Sequence, residues 1–302
     1  MKKKVLAAVG ISGLLMAGGV LSASASASGN GYQLFKDSVK KTQTLTNFTS
    51  HVEASLTDNG KKLYSVNSLS SENLTAQAAS SNVNVTKGGK TTNLNYYSKN
   101  HQTIVKSSND TNYYVRQGHV EKNEQQKNEN HNGHKLSPQM QKDVEAIFDA
   151  ITTNYQDKIN SSDLGNGNTG LSFELTKDQV PAVGQAVVSF FLKNIDQNKE
   201  HFGNREFGSL NIADLKPVLP QLTSGISVDK VVLNGIVDKN NYLMEQDATI
   251  HVTGTDVKGT THSLVLSIKN QFDNINNSKV NTIDLKGKKV VTVQDNHKRH
   301  ED

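Results

Sequence analysis

The sequence contains no cysteine and no tryptophan among its 302 residues, and aromatic residues make up 6% of it. Without cysteine the chain can form no disulfide, offers no thiolate as a nucleophile or metal ligand, and has no thiol to carry a lipid anchor. The scarcity of aromatic rings argues against a stacking platform for sugars or single-stranded nucleic acid.

Charge of either sign is also in short supply. The formal net charge is +4, but three of the lysines are Lys2, Lys3 and Lys4 in a segment that we expect to be removed. The remaining 30 basic residues (33 less these three) nearly balance the 29 acidic ones. A protein that follows a phosphate backbone needs a concentrated basic face, so we expect no nucleic-acid binding.

The first 27 residues have the three-part pattern of a secretory signal peptide. Lys2 to Lys4 form the positive end, residues 5–21 are mainly apolar, and two A-x-A sites end at Ala25 and Ala27. A permanent membrane anchor is the alternative, because the apolar run approaches the ~20 residues of a membrane span. Its glycines, its alanines and the tandem cleavage sites favour removal after Ala27. We therefore predict a secreted or extracytoplasmic protein, in the cell wall or the medium, without a permanent membrane span.

Residues 228–276 carry the clearest structural pattern. Three runs of apolar residues recur with the spacing of two that a half-buried strand requires, and they are separated by turn sequences at 238–241 and 255–259. The simplest interpretation is an up-and-down antiparallel meander.

The rest of the chain predicts one further sheet region and three helices. An amphipathic helix runs from Tyr32 to near Leu45, and strands follow over 51–116 with a hairpin at Asn59-Gly60. Residues 117–137 are predicted to be a mobile loop, and helices are predicted over 138–159 and 177–195. An edge strand is expected within 280–293, and 296–302 are a charged tail. We expect residues 28–295 to form a single domain.

The histidines invite a metal site but do not support one. His131 and His134 share a loop that we predict to be mobile, and His297 and His300 lie at the C-terminal end. No cysteine and no HExxH pattern accompany them, so we predict no metal. We interpret His251 and His262 as solvent-facing strand residues.

Sequence motifs for catalysis and for cofactors are missing. No G-x-S-x-G elbow, phosphate-binding loop or dinucleotide fingerprint occurs. We therefore expect a protein that is not an enzyme and holds no cofactor. A hydrolase without a sequence signature stays open as a third hypothesis, and a buried histidine–carboxylate pair beside a serine would favour it.

Apolar stripes on the third helix and on the meander suggest a ligand site. The candidate lining residues are Val183, Val187, Phe190, Phe191, Leu233, Ile250 and Leu266. These side chains are apolar enough to line a cavity between sheet and helices. Plain core packing explains the helix stripe equally well.

The order of elements and several short motifs resemble a known superfamily. These features are Y-x-L-F-K-x-S-V-K-K at Tyr32–Lys41, the Asn59-Gly60 turn, K-G-T-T-H-S-L at Lys258–Leu264 and L-K-G-K-K-V at Leu285–Val290. The chain resembles exported Gram-positive proteins with a fold similar to the LolA/LolB/LppX lipoprotein carriers. That resemblance implies the α+β class and a twisted antiparallel half-open β-barrel with helices packed on its concave face. Many relatives are lipidated on a cysteine, which this chain lacks.

Two functions follow as expectations. The first is a non-enzymatic extracytoplasmic binding or carrier protein for an acyl chain, a lipid, a lipoprotein or an apolar peptide. The alternative is a cell-surface or sporulation-associated structural protein with a packed barrel and no ligand. In either case we expect a monomer, with a cell-surface protein as a candidate partner.

Overall fold

The computed structural model of the protein describes residues 30–117, 155–182, 185, 206–207, 210–211, 215 and 217–293. The predicted signal peptide, nearly all of the predicted mobile loop and the charged tail lie outside these residues. So do Val183, Val187, Phe190 and Phe191.

Strands dominate the described residues, with one α-helix and two short 3-10 helices. The helix α1 spans Asn30–Thr42, and the 3-10 helices span Gln156–Lys158 and Lys177–Gln179. The strands are β1 (Asn47–Asp58), β2 (Lys61–Asn73), β3 (Ala78–Lys87), β4 (Lys90–Lys99), β5 (Gln102–Ser107), β6 (Tyr113–Gln117), β7 (Asn160–Gly165), β8 (Asn168–Thr176), β9 (Glu206–Phe207), β10 (Leu210–Asn211), β11 (Leu222–Val237), β12 (Leu243–Asp256), β13 (Thr261–Asp273) and β14 (Val290–Thr292).

Twelve of these strands form one sheet in the order β14-β6-β5-β4-β3-β2-β1-β13-β12-β11-β8-β7, and β9 and β10 form a separate ribbon. Neighbours in the sheet are antiparallel, apart from β14 beside β6. The sheet is not closed, since β14 and β7 are its two edges. The predicted meander is confirmed as β11-β12-β13. The pairing of β13 with β1 joins it to the N-terminal strands.

Two-residue turns set the register of the hairpins. Asn59 and Gly60 have φ of 48° and 77°, and Asn166 and Gly167 have φ of 56° and 78°. Two successive positive φ values match the twist of the flanking strands, and asparagine and glycine reach them at low cost. The Asn59-Gly60 hairpin is therefore confirmed.

Residues 155–180 differ from the sequence-based prediction. The chain leaves a 3-10 turn at Lys158 and enters β7 at Asn160, and the turn Asn166-Gly167 joins β7 to β8. The predicted helix over 177–195 opens as a 3-10 turn, in which the Gln179 side chain accepts a hydrogen bond from the Thr176 backbone N–H at 3.0 Å. That capping bond satisfies a backbone donor that the first turn leaves free.

The helix α1 packs against the end of the meander. Its Val39 contacts Leu171, Val237 and Leu243 from three neighbouring strands. The buried Thr42 hydroxyl accepts a hydrogen bond from the backbone N–H of Leu243 at 2.8 Å. The helix ends three residues before the predicted Leu45, as expected from the poor helix propensity of the threonines that follow.

Successive residues of a strand face opposite sides of the sheet. We call the side that carries Leu56, Leu264 and Val66 the inner face, and the opposite side the outer face. After β13 the chain crosses the outer face: the Ser278 backbone N–H donates to the Asn47 side chain at 2.6 Å, and that of Asn281 to Ser80 Oγ at 2.9 Å. This crossing explains how the last strand can run parallel to β6.

Candidate functional site

Three of the predicted lining residues lie within the described structure and share the inner face. Ile250 of β12 pairs directly with Leu266 of β13. Leu233 of β11 pairs with Ala248, which in turn pairs with Ile268, two residues beyond Leu266. The register therefore brings the three side chains together in adjacent rows across the sheet.

Each row is apolar from one strand to the next. We call them the apolar rows. The first consists of Tyr64, Leu56, Leu266, Ile250, Val231 and Leu175. The second consists of Val66, Ala54, Ile268, Ala248, Leu233 and Phe173.

The ends of the apolar rows are buried, whereas their centre is accessible. In the first row, Leu175 at one end is 0% exposed, and Leu56, next to the other end, is 4% exposed. Leu266 lies between them and is 38% exposed. Ile250, beside it, is partly exposed. The middle of the inner face thus presents apolar surface that a ligand or another segment can cover, with the usual gain from removing such surface from water.

The surroundings of the rows have a low polarity. Burial raises the pKa of Tyr64 to about 12, because a phenolate at this position would lose its hydration. Tyr64 packs against the two clusters of buried side chains that contain Leu56 and Val66. The accessible patch is therefore continuous with a dry core.

A small cavity of about 30 Å³ lies where α1 meets the sheet. It is lined by Phe35, Ile159, Leu171, Ser172, Phe173, Leu233, Asn234 and Gly235. By this measure one water molecule needs about 10–15 Å³, so the cavity has room for about two waters and is far too small for an acyl chain. Leu233 thus lines this cavity and also belongs to the second apolar row.

The third row of the inner face is polar at its middle. Asn270 of β13 is fully buried and pairs with Val52 on one side and Gln246 on the other. Neither the amide nitrogen nor the amide oxygen of Asn270 has a hydrogen-bond partner. Ser50 Oγ, one pair further along β1, is likewise buried and without a hydrogen bond.

Three more serines continue this polar patch onto β2 and β3. Ser70 pairs with Ser50 in the register, and its Oγ lies 2.8 Å from that of Ser81. Ser68 Oγ lies 3.3 Å from each of these two hydroxyls. We call Ser50, Ser68, Ser70, Ser81, Gln246 and Asn270 the polar patch. The sequence analysis missed it, although Asn270 interrupts the alternation that Leu266 and Ile268 begin.

A histidine with two carboxylates closes one end of the inner face. His262 Nδ1 lies 2.8 Å from Asp58 Oδ2, and His262 Nε2 lies 3.4 Å from Asp256 Oδ2. The hydrogen bond to Asp58 raises the pKa of His262 against the effect of desolvation, and Asp256 adds to the rise. The hydrogen bond from the Thr260 backbone is the main cause that lowers the pKa of Asp256. Since the His262 side chain is only 13% exposed, its prediction as a solvent-facing residue was wrong.

This histidine–carboxylate pair lacks the arrangement of a nucleophile and its base. Both ring nitrogens of His262 face carboxylates, so neither is directed at a hydroxyl. Ser263 next to it points to the opposite face by strand alternation. The contacts of His262 with Asp58 and Asp256 instead link β13 to β1 and β12, which is a structural role.

The described ranges contain neither a cluster of metal-ligating side chains nor a helix that could span a membrane. No three histidine, aspartate or glutamate side chains there are grouped so that they could hold a metal ion. The one helix described in full, α1, is too short and too polar to cross a membrane.

Compared with known proteins, the chain matches no family model, and no curated protein sequence is significantly similar to it.

Proposed function

We propose that the protein is a non-enzymatic extracytoplasmic binding or carrier protein whose inner sheet face takes an apolar ligand, such as an acyl chain, a lipid or a lipoprotein. The observation that carries the proposal is the position of Leu266. It is 38% exposed at the centre of two apolar rows whose ends are buried. The twelve described strands of this sheet do not close on themselves.

The contrast between the two faces supports the proposal. On the outer face, opposite the apolar rows, neighbouring strands carry Asp247, Lys269 and Glu53 in register. On these described strands the apolar rows therefore lie on the inner face, and charged side chains lie opposite them. Full burial of one leucine side chain stabilises a complex by about 1.5–3 kcal/mol, and several such contacts along the rows would give measurable affinity.

The LolA-like half-open barrel and the export of the protein belong to the same proposal. An open, mainly antiparallel sheet of twelve strands has the number of strands at which twist makes sheets curl. The residues of the predicted signal peptide would place the binding face outside the cytoplasm. No cysteine is available to anchor the carrier through a lipid.

A packed structural protein is the second candidate function. Leu215, Val180 and Leu219 from the connection between β8 and β11 pack against the inner-face clusters around Val66 and Leu56. Chain segments therefore already cover part of the inner face, as they would in a protein without a ligand.

A pair of leucine variants separates the two functions. Nile red binding is measured on the mature protein by the fluorescence of the dye. Leu266→Asn is expected to weaken binding about tenfold, because it removes apolar contact at the centre of the rows. Leu69→Asn is the matched control, since Leu69 is 53% exposed on the outer face. Equal binding by both variants, or none by the natural sequence, would contradict the carrier function.

A further inference from the structure

The polar patch beside the apolar rows has unmet hydrogen-bonding capacity. The buried Asn270 amide offers two donors and an acceptor, and the buried Ser50 hydroxyl offers one donor and an acceptor. Buried amides and hydroxyls are almost always hydrogen-bonded in folded proteins, because leaving one unpaired is costly. The two side chains lie on the same face of neighbouring strands, since Asn270 pairs with Val52 and Ser50 is two residues from Val52.

The polar patch continues the line of the accessible apolar surface. Leu266, Ile268 and Asn270 are alternate residues of β13 and therefore point to the same face. Leu266 is accessible, and Asn270 lies about 14 Å further along the strand at ~3.4 Å per residue. An elongated molecule that follows β13 would touch apolar side chains along most of its length and amides and hydroxyls at one end.

The chemistry of the polar patch selects against a charged end. Its side chains are hydroxyls and neutral amides, and the inner-face positions of β1, β12 and β13 around Asn270 include no lysine or arginine. The nearest charged inner-face residue along β2 is Glu72, two positions after Ser70 and 1% exposed. Arg116 lies on β6, five strands away from β1. A carboxylate or phosphate buried here would lose its hydration, and no lysine or arginine on the inner-face positions of β1, β12 and β13 around Asn270 would offset that loss.

We propose that the polar patch is the head-group end of the ligand site and that the ligand is an uncharged amphiphile, with a hydroxyl, glyceryl or amide head next to a single acyl or alkyl chain. This inference rests on the proposed carrier function and specifies its ligand. The head group would donate to and accept from the Asn270 amide and the Ser50 hydroxyl. The chain would lie over Ile268, Leu266 and Ile250.

Three single-chain probes of equal chain length test the head-group preference: 1-dodecanoylglycerol, dodecanoate and dodecyl phosphate. Each displaces Nile red from the mature protein at pH 7.5, below its critical micelle concentration. We expect 1-dodecanoylglycerol to bind at least about tenfold more tightly than either anion, since hydrogen bonds to buried partners and the absence of buried charge both favour it.

Two variants test whether residues of the polar patch cause the preference for the glyceryl head group. Asn270→Leu and Ser50→Ala are expected to lower the affinity for 1-dodecanoylglycerol about tenfold and about threefold relative to that for dodecanoate. Asn67→Leu, on the exposed outer face of β2, is the matched control for the asparagine substitution.

The outcomes distinguish the two proposals. If no probe binds and Nile red binds no better than to a denatured control, the carrier function itself fails. If all three probes bind equally, or if Asn270→Leu and Ser50→Ala leave the preference for the glyceryl head unchanged, the head-group inference is overturned while the carrier function stands.

Discussion

Asn270 is a single residue that we expect to cost stability. Its amide is fully buried without a hydrogen bond, and each unsatisfied buried group costs about 1–3 kcal/mol. Replacing it with leucine keeps the number and branching of the side-chain heavy atoms and removes the unpaired polar atoms. We expect Asn270→Leu to raise the free energy of unfolding by about 1 kcal/mol, measured by urea denaturation. A loss of stability would show that the amide is satisfied in solution.

His262 predicts a dependence of stability on pH. Its folded-state pKa is raised above the ordinary 6.5, so the protonated form is favoured in the folded chain. The resulting stability is fully present below about pH 6.5 and is lost as the pH rises through the raised value. Asp256, whose pKa is lowered, contributes stability that is lost only when strong acid protonates it.

The measurement is the melting temperature between pH 5.5 and pH 8.5. We expect it to fall with rising pH in the natural sequence and to fall less in His262→Gln. His251→Gln is the matched control, because His251 lies on the outer face of the adjacent strand β12. An equally steep fall in His262→Gln would rule out this histidine as the source.

At the scale of elements, α1 depends on one hydroxyl for its attachment to the sheet. Thr42 Oγ1 accepts from the Leu243 backbone N–H and donates to the Ser38 carbonyl, both at 2.8 Å. Thr42→Val keeps the shape of the side chain but leaves the N–H at the start of β12 unpaired. We expect a loss of about 1–3 kcal/mol in the free energy of unfolding. Thr44→Val, on an exposed threonine of the following turn, should change it by less than about 0.5 kcal/mol.

A second prediction at this scale compares the glycines of two hairpin turns, Gly60 between β1 and β2 and Gly167 between β7 and β8. Gly60 and Gly167 have nearly equal positive φ, so alanine at either position is strained by about 1–2 kcal/mol. An added Cβ meets nothing within 4 Å at Gly60, but lies 2.9 Å from Lys239 Cβ at Gly167. Chemical denaturation should therefore show Gly167→Ala to be the more destabilising of the two. Equal losses would mean that the β7–β8 turn moves away from Lys239 freely.

The elements that the sequence predicted well are those fixed by neighbours in the chain. Alternation of apolar residues and the Asn59-Gly60 turn are local signals, so the meander and that hairpin were predicted correctly. Strand β7 was missed because Asn160 to Asp163 are polar and the whole strand is exposed. Such an edge strand has no buried side to produce a periodic pattern.

Contacts between distant parts of the chain could not be predicted in the same way. Asp58 and His262 are 204 residues apart, and they meet because β1 pairs with β13. Nothing local in either segment specifies that pairing. The polar patch has the same origin, since Asn270 and Ser50 come together only through this register. The predicted lining residues Leu233, Ile250 and Leu266 share a face for a simpler reason: they lie in consecutive strands of the meander.

At the scale of the whole molecule, the sheet combines a polar outer face with an inner face that is apolar at its centre. Among the described residues, α1 and the segments around Leu215 and Leu219 cover parts of this inner face and leave Leu266 accessible. The proposed carrier function requires that a ligand fills this centre in the organism.

Native mass spectrometry of the mature protein purified from its own host, with lipid extraction of the same sample, tests this most directly. The account predicts a stoichiometric bound species that is uncharged and has a single acyl or alkyl chain. Loss of this species in Leu266→Asn, and its retention in Leu69→Asn, would assign it to the inner face. A mass that corresponds to the polypeptide alone, together with no rise in melting temperature on addition of 1-dodecanoylglycerol, would contradict the account and favour a structural protein.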